Sequence, residues 1–308
     1  MKVLGHLKYL LGAFALVLTT FFAGFTPVYA EEIPKRRLQL SPAKFDLDEL
    51  KPGETKEITL KVQNTGSEKF GYEVSVTPYS VVGEEYQQDF SAETNYTDIV
   101  DWISLSETEG EVEPDQQNLI TIKVEVPQDV PAGGQYAAIM VRMKENTQAS
   151  GEGAAITAYK QAGSIIFASV DGETRKTGSI VESKIPSFLF TPPITATSVV
   201  ENTGNIHSNA TYILQVYPLF GSEEVYTNEE SPLRIPILPE TRRLNTISWD
   251  GAPQLGIFKV KQTVKFLDKT EVTEKVVFLC PIWFLLIILA IIFLLIFLIV
   301  SRIFKKGE

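Results

Sequence analysis

Short runs of alternating apolar and polar residues fill the chain between residues 38 and 279. Alternation with a period of two is typical of half-buried β-strands, and no stretch here sustains the 3.6-residue period of a helix. The runs are rich in Val, Ile, Thr and Tyr, and Pro, Gly and Asn separate them. The clearest are "EITLKVQ", "YEVSVTP", "LITIKVEV", "QYAAIMVRM", "TSVVEN", "TYILQVYP" and "KVKQTVKF". The pattern predicts an all-β fold.

The strands form two similar sets. "KVQNTG" (61–66) and "VVENTG" (199–204) each lead into a strand that ends in Val-x-Pro. We predict that Asn-Thr-Gly forms a turn in both copies, with Gly at positive φ and the Asn side chain bonded to its own backbone.

Two further elements recur in the same order. Pro52, Pro114 and Pro239 are each followed by Thr seven residues later, with apolar residues one and three places beyond. Pro fixes φ ahead of a strand, so each Pro is predicted to begin a turn that leads into one.

"PAGGQY" (131–136) matches "PQLGIF" (253–258), since each has Gly three places and an aromatic residue five places after Pro. An aromatic residue at a strand entrance fixes a corner of immunoglobulin-like sandwiches, often through a tyrosine hydroxyl. We predict this role for Tyr136, whereas Phe258 can only pack.

The duplication predicts two consecutive immunoglobulin-like β-sandwiches, at 38–172 and 173–279, after a linker at 31–37. It also decides the meaning of "LPETRR" (238–243), which resembles a sortase signal but has Arg242 in place of Gly. The motif occupies a repeated position inside the second sandwich, far before the final apolar segment. It is therefore predicted to be a turn.

Residues 1–30 have the three parts of a secretory signal peptide. Lys2 and Lys8 precede an apolar stretch, and "VYA" places small residues before a cut after Ala30. The alternative is an uncleaved membrane anchor.

A transmembrane helix is predicted at 280–301. Its run from Ile282 to Val300 is nineteen residues without a charge, and a helix of this length covers about 28 Å, close to the hydrocarbon thickness of a bilayer. The tail at 302–308 is basic and is expected in the cytoplasm. The expected location is thus the cell membrane, with a single pass and both sandwiches outside.

The composition excludes several classes of function. The net charge of −10 argues against nucleic acid as a partner. Cys280 is the one cysteine, so no intramolecular disulfide can form, and the two histidines are His6 and His207. No nucleophile elbow, phosphate-binding loop or zinc spacing is present. We expect no enzyme activity, no catalytic residue, no metal and no cofactor.

The long connection between Tyr79 and Trp102 is the main candidate for partner binding. It carries Tyr86, Phe90 and Tyr96 among acidic residues, a mixture that suits contact with a protein or a glycan. The alternative is that it holds one or two edge strands, with Trp102 in the core.

Arg242 and Arg243 are a second candidate contact. Two adjacent arginines at a turn could meet a partner's carboxylate, or could pair with the chain's own glutamates.

Four motifs follow one another in the first sandwich: "LSPAKFDLDELKPGETKEITLKVQNTG", "DIVDWISL", "VEPDQQNLITIKVEVP" and "VPAGGQYAAIMV". Through them the first sandwich resembles the WxL-interacting proteins of Gram-positive bacterial surfaces, and the second resembles their second domain more loosely. The resemblance implies two sandwiches, a membrane anchor and a non-catalytic role on peptidoglycan or surface proteins. In this chain "DVPA" replaces the apolar residues expected before Gly133-Gly134.

These observations predict a membrane-anchored surface protein that binds or scaffolds envelope components. The expected partners are surface or secreted proteins, with peptidoglycan as a further candidate, and the binding mode is strand addition at a sheet edge. The alternative is a chaperone-like or assembly subunit of an export or pilus-type machinery. The oligomeric state stays open.

Overall fold

The computed structural model describes residues 35–144 and 160–305. The predicted signal peptide lies outside the described residues, as do 306–308 of the predicted tail. The elements in chain order are β1 (Leu38–Ser41), β2 (Lys44–Leu50), β3 (Thr55–Asn64), β4 (Phe70–Pro78), β5 (Ser80–Val82), β6 (Gln87–Asp89), a 3-10 helix (Asp98–Trp102), β7 (Ile103–Leu105), β8 (Glu109–Val112), β9 (Gln117–Glu125), β10 (Gly133–Met143), β11 (Gln161–Val170), β12 (Gly178–Lys184), β13 (Phe188–Leu189), β14 (Ile194–Asn202), β15 (Ser208–Pro218), β16 (Tyr226–Thr227), β17 (Leu233–Ile237), β18 (Thr241–Trp249), β19 (Gly256–Phe266), β20 (Lys269–Leu279) and α1 (Ile282–Lys305).

Two sheets pack face to face in each half of the chain. In the first half their orders are β1-β3-β9-β7 and β2-β11-β10-β4-β8. In the second half they are β12-β14-β18 and β13-β20-β19-β15-β16, with β17 also paired to β15. The all-β prediction and the immunoglobulin-like sandwich are confirmed. The predicted boundary between residues 172 and 173 stays a prediction; it falls between the end of β11 and the start of β12.

The two halves repeat one connectivity. In each half, the first strand pairs antiparallel with a strand of one sheet, β1 with β3 and β12 with β14. The chain then crosses to the other sheet. There the next strand pairs parallel with the last strand of its half, β2 with β11 and β13 with β20. The antiparallel pairs β3–β9 and β4–β10 correspond to β14–β18 and β15–β19. Every strand quoted from the sequence pattern lies within one of these elements, except that "LITIKVEV" extends one residue beyond β9, to Val126.

The three Pro-led turns share one backbone geometry. The residue after Pro has positive φ in each: Gly53 at 79°, Asp115 at 57° and Glu240 at 55°. Pro followed by a residue with positive φ is the signature of a type II turn. "LPETRR" is therefore a turn that leads into β18.

A buried asparagine joins the two sheets in each sandwich. The Asn64 side chain, fully buried at the end of β3, donates to the Val112 carbonyl at the end of β8 (3.2 Å) and accepts from the Gly66 N–H (2.9 Å). Asn202 does the same with the Ile237 carbonyl and the Gly204 N–H, both at 2.9 Å. These bonds satisfy backbone groups that would otherwise be buried without a partner.

The glycines of the two Asn-Thr-Gly turns serve a purpose that the sequence analysis did not predict. Gly66 and Gly204 do not have positive φ. A Cβ on Gly66 would lie 2.7 Å from the Arg37 nitrogen, and one on Gly204 would lie 2.1 Å from the Arg175 oxygen. The prediction of positive φ was wrong, because what requires glycine is the close approach of a neighbouring backbone segment.

Each sandwich has its own hydrophobic core, and a third cluster lies between them. Fully buried Tyr72 and Ile139 belong to the first core, and Tyr212 and Phe266 belong to the second. The third cluster combines side chains of the first half with Leu238 of the second. The two sandwiches are thus packed against each other.

The helix α1 follows β20 after two residues, Cys280 and Pro281. Its side chains are described for 282–296, 298 and 299, and those of Ile282 and Trp283 are exposed. Among the described residues, no helix is long and apolar enough to cross a membrane. The transmembrane helix predicted at 280–301 is therefore not confirmed and stays a prediction.

We predict that Asn202→Ala lowers the free energy of unfolding by about 3 kcal/mol, because it leaves buried backbone groups without partners. The measurement is the urea midpoint of the full chain in detergent. The matched control is Gln117→Ala, an exposed side chain without a hydrogen bond among the described residues. Equal effects of the two substitutions would contradict the role of Asn202.

Candidate partner-binding surfaces

The long connection between Tyr79 and Trp102 contains two structural elements, a β-hairpin and a 3-10 helix. β5 and β6 form a hairpin, and the 3-10 helix ends at Trp102, which is buried in the first core. The alternative reading is confirmed for Trp102, which lies in the core, but β5 and β6 form a separate two-stranded sheet and are not edge strands of the sandwich. The hairpin extends from the first sandwich towards the second.

Tyr86, at the tip of this hairpin, is only 9% exposed. Its hydroxyl accepts a hydrogen bond from the Leu238 N–H and lies 3.3 Å from Thr241 Oγ1. Burial raises the pKa of this hydroxyl, so Tyr86 acts as a neutral partner of the turn before β18.

Arg243 covers the other side of Tyr86. Its guanidinium carbon lies 4.0 Å from the centre of the Tyr86 ring, within the range of a cation–π contact. The same guanidinium donates to the Pro236 carbonyl at 2.9 Å. Arg242 points elsewhere, and its Nε lies 2.9 Å from Glu201 Oε1. The chain's own carboxylate is therefore the partner of Arg242.

The contact of Tyr86 with Leu238 and Arg243 joins the two sandwiches and is called the joint here. Phe90 and Tyr96 flank it. The Phe90 ring packs 5.9 Å from that of Tyr79, and the Tyr96 hydroxyl donates to Glu240 at 2.9 Å. Burial, reinforced by the Glu240 carboxylate, raises the pKa of Tyr96 to about 12. Four of the five residues predicted as partner contacts thus meet within the chain, at the junction of its sandwiches.

Tyr136 completes the joint, although the sequence analysis placed it at a corner of the first sandwich. Its hydroxyl accepts a hydrogen bond from the His207 N–H at 3.0 Å and lies 3.2 Å from His207 Nδ1, across the junction. The predicted bond within the first sandwich was wrong, because the hydroxyl faces the second one. Phe258, its sequence counterpart, packs against Trp249 as predicted.

The Gly133-Gly134 pair allows the two backbones to meet. The Gly134 N–H donates to the Asn205 carbonyl at 2.7 Å, and a Cβ on Gly133 would lie 2.7 Å from that same oxygen. Gly133 also has a φ of 141°, which disfavours other residues. The pair was visible in the sequence, but its contact was not.

A cleft of about 410 Å³ opens beside this joint. It is lined by Tyr96 and Tyr136 from one sandwich and by Pro239 and Glu240 from the other. No group of three or more His, Cys, Asp or Glu side chains that could hold a metal ion occurs among residues 35–144 and 160–305.

A difference between the repeated sheets marks another surface. In the first sandwich β7 pairs with the outer edge of β9, and Ser106 continues the contact by donating its N–H to the Thr121 carbonyl at 2.9 Å. In the second sandwich no described strand pairs with that edge of β18, the counterpart of β9. Sequence reasoning missed this edge, although the Pro-led repeat aligns Thr246 with Thr121.

The outer edge of β18 makes one backbone hydrogen bond among the described residues. The Leu244 N–H donates to the Glu84 carbonyl at the hairpin tip, at 2.7 Å. Because backbone direction alternates along a strand, the N–H and C=O of Thr246 and Ser248 also point away from β14. These groups form an open edge, defined here as Thr246–Ser248.

Comparison with known proteins returns structures only. No family model and no curated protein matches the sequence. One similar structure is a class 5 fimbriae chaperone, CfaA, at 10% identity, covering 78% of this chain and 99% of that one with a TM-score of 0.39.

Two further similar structures come from complexes. One is a chain of the Salmonella enterica SafA pilin complex with the SafB chaperone (12% identity, 81% and 99% covered, TM-score 0.38). The other is from the CsuC–CsuE chaperone–tip adhesion subunit complex of Acinetobacter baumannii (11% identity, 78% and 98% covered, TM-score 0.38). At these identities the likeness concerns the fold alone.

We predict that Tyr86→Phe lowers the free energy of unfolding by about 1–3 kcal/mol, since the buried Leu238 N–H loses its acceptor. Thermal and urea unfolding of the full chain in detergent measure it. Tyr217→Phe, which removes an exposed hydroxyl bonded to Glu224, is the matched control and should change stability less. If the two variants lose the same stability, Tyr86 does not hold the joint.

Acidification is expected to weaken the joint through His207. Burial lowers the pKa of its imidazole below the ordinary 6.5, against the opposing effect of Asp48 and Asp46. The unfolded chain therefore binds more protons, so stability falls as the pH drops below 6.5 towards the folded-state pKa. Thermal midpoints across this window should fall less in His207→Gln than in the parent. Parallel curves would contradict this prediction.

Proposed function

We propose that the chain is a non-enzymatic protein that binds extended segments of other envelope proteins by strand addition at the open edge of β18. The observation that carries the proposal is the missing counterpart of β7. The first sandwich supplies this strand directly after its long connection, whereas the second leaves the equivalent position open.

The geometry of β7 indicates what an added strand needs. β7 is three residues long, and its Ile103 and Leu105 pack against the first core while Ser104 between them is exposed. A partner segment with apolar residues at alternate positions would place them in the same way beside Ile247 and Trp249. Backbone hydrogen bonds would supply affinity, and the alternating side chains would supply specificity.

The hairpin tip sets one end of this binding surface. Glu84 already accepts a hydrogen bond from Leu244, so an added strand is free to pair from Thr246 onwards. The joint formed by Tyr86 and Arg243 holds the tip in place. We infer that the predicted partner loop acts by positioning this tip.

Two versions of this role differ in how long the partner stays. A scaffold holds mature surface proteins, whereas an assembly subunit holds a client until it is passed on. We favour the assembly role, because an unpaired edge suits a client segment that is still extended. The compared chaperone structures include complexes with a pilin and with a tip adhesion subunit.

The location that we propose is the outer face of a cell membrane. The support is the uncharged run from Ile282 to Val300, with basic residues directly after it. We also propose a relation to the WxL-interacting proteins and a contact with peptidoglycan. Both of these proposals rest on the sequence resemblance alone.

We expect a photo-crosslinking residue at Thr246 to capture a protein in cells of the native host. Thr121, the equivalent position on β9 whose edge β7 covers, is the matched control and should capture little. Mass spectrometry of the adduct should place the cross-link in an extended, alternating segment of the partner. If the cross-linkers at Thr246 and Thr121 capture the partner equally, the proposal is wrong.

A backbone variant tests the mode of binding. Thr246→Pro removes the outward N–H, which an edge strand tolerates, and should lose the captured partner. Thr246→Val keeps the N–H and should retain it. Deleting the chain separates the two roles: accumulation of unassembled client supports assembly, whereas stable co-purification with mature proteins supports a scaffold.

A further inference from the structure

Large apolar side chains are exposed at one end of the second sandwich. At this end the chain leaves β13, β15 and β18 and enters β19, and β20 continues towards α1. Three separate loops at this end each carry one such side chain: Phe190 is 50% exposed, Phe220 is 94% exposed and Leu255 is 48% exposed.

The neighbouring strands extend the same surface. Phe278 on β20 lies between Phe188 on β13 and Ile257 on β19, in register with both. All three side chains are on the outer face of the sheet and are exposed. The Phe188 and Phe190 rings contact each other edge to face, with centroids 5.0 Å apart. We call these six side chains, from Phe188 to Phe278, the apolar rim.

The rim is attached directly to the start of α1. The Cys280 N–H donates to the Leu189 carbonyl at 2.9 Å, which ties β13 to the residue before Pro281. Ile282 and Trp283 follow at once, and their side chains are 60% and 53% exposed. The apolar surface of the rim therefore continues into the apolar surface of the helix.

We propose that the apolar rim inserts into the interfacial layer of a lipid bilayer and holds the second sandwich against the membrane. This inference rests on the proposed membrane anchor and goes beyond it, because an anchor alone leaves the orientation of the sandwich open. Aromatic and branched side chains on loop tips suit this layer. Single exposed apolar residues are ordinary in proteins, but a contiguous set beside an apolar helix marks an interaction surface.

The charges nearby indicate which lipids would matter. Glu223 and Glu224 lie in the loop that carries Phe220, and Asp250 lies in the loop that carries Leu255. Lys259 is exposed on the same face of β19 as Ile257, but the three carboxylates outnumber it, so this end does not attract anionic headgroups. Insertion is therefore expected in zwitterionic bilayers, without a requirement for anionic lipid.

The opposite end of the same sheet provides an internal comparison. The β19–β20 hairpin turns at Leu267, which is 36% exposed. β20 has 11 residues, so this turn lies about 35 Å from Phe278 along the strand. If the rim lies in the bilayer, a fluorophore on the rim should therefore contact lipid, whereas one at position 267 should contact water.

The test uses the full chain in phosphatidylcholine vesicles, with Cys280→Ser and one new cysteine that carries an environment-sensitive fluorophore. The labelled variants are Phe190→Cys and Leu255→Cys in the rim, Leu267→Cys as the matched control, and Ile288→Cys within α1. Quenching by bromine on the lipid acyl chains is compared with quenching by aqueous iodide. Unchanged thermal midpoints establish that each labelled chain is folded.

We expect the labels at 190 and 255 to be quenched several-fold more by the brominated lipid than the label at 267. Water-accessible labels at 190 and 255, with a lipid-quenched label at 288, would overturn the rim while leaving the anchor intact. Water-accessible labels at all four positions would overturn both the rim and the anchor. Added phosphatidylglycerol should not change the result; a strict requirement for it would also contradict the proposal.

Discussion

The fully buried side chains of Asn64 and Asn202 are the constraint on which the sandwiches depend. Each bonds a carbonyl of the facing sheet and the N–H of its own turn. A polar side chain at this depth is tolerated only when its groups are paired, so the bonds set the relative position of the two sheets. The same device in both halves explains why Asn-Thr-Gly recurs in the sequence.

The joint between the sandwiches follows from one of these asparagines. Asn202 holds Ile237, and the next residue, Leu238, presents its N–H to the Tyr86 hydroxyl. The Pro-led turn then directs Arg243 over the Tyr86 ring. The long connection of the first sandwich is thereby held beside β18, so the joint and the open edge belong to one arrangement.

The duplication also shows where the halves have diverged. The first sandwich covers the edge of β9 with β7, which directly follows its long connection, and the second leaves the equivalent edge of β18 open. At the far end of the second sandwich, exposed apolar loops surround the start of α1. The two proposed surfaces lie on different parts of the second sandwich. The open edge of β18 runs along one side and would bind a protein segment, and the apolar rim lies at one end and would contact lipid. The rim would orient the edge relative to the membrane.

Period-two alternation and repeated turn motifs were enough to predict an all-β fold with two similar sandwiches, because strand burial and turn chemistry are local properties. The Pro-led turns and the role of Phe258 also followed from local pattern. The functions of Gly66 and Tyr136 did not, since a close backbone approach and a hydroxyl partner come from residues distant in sequence. The sequence identified Tyr86, Phe90, Tyr96, Arg242 and Arg243 as unusual, but it could not show that four of them meet at one joint. Only the tertiary structure decided that contact and the open edge of β18, because both depend on which strand lies beside which after the chain has folded.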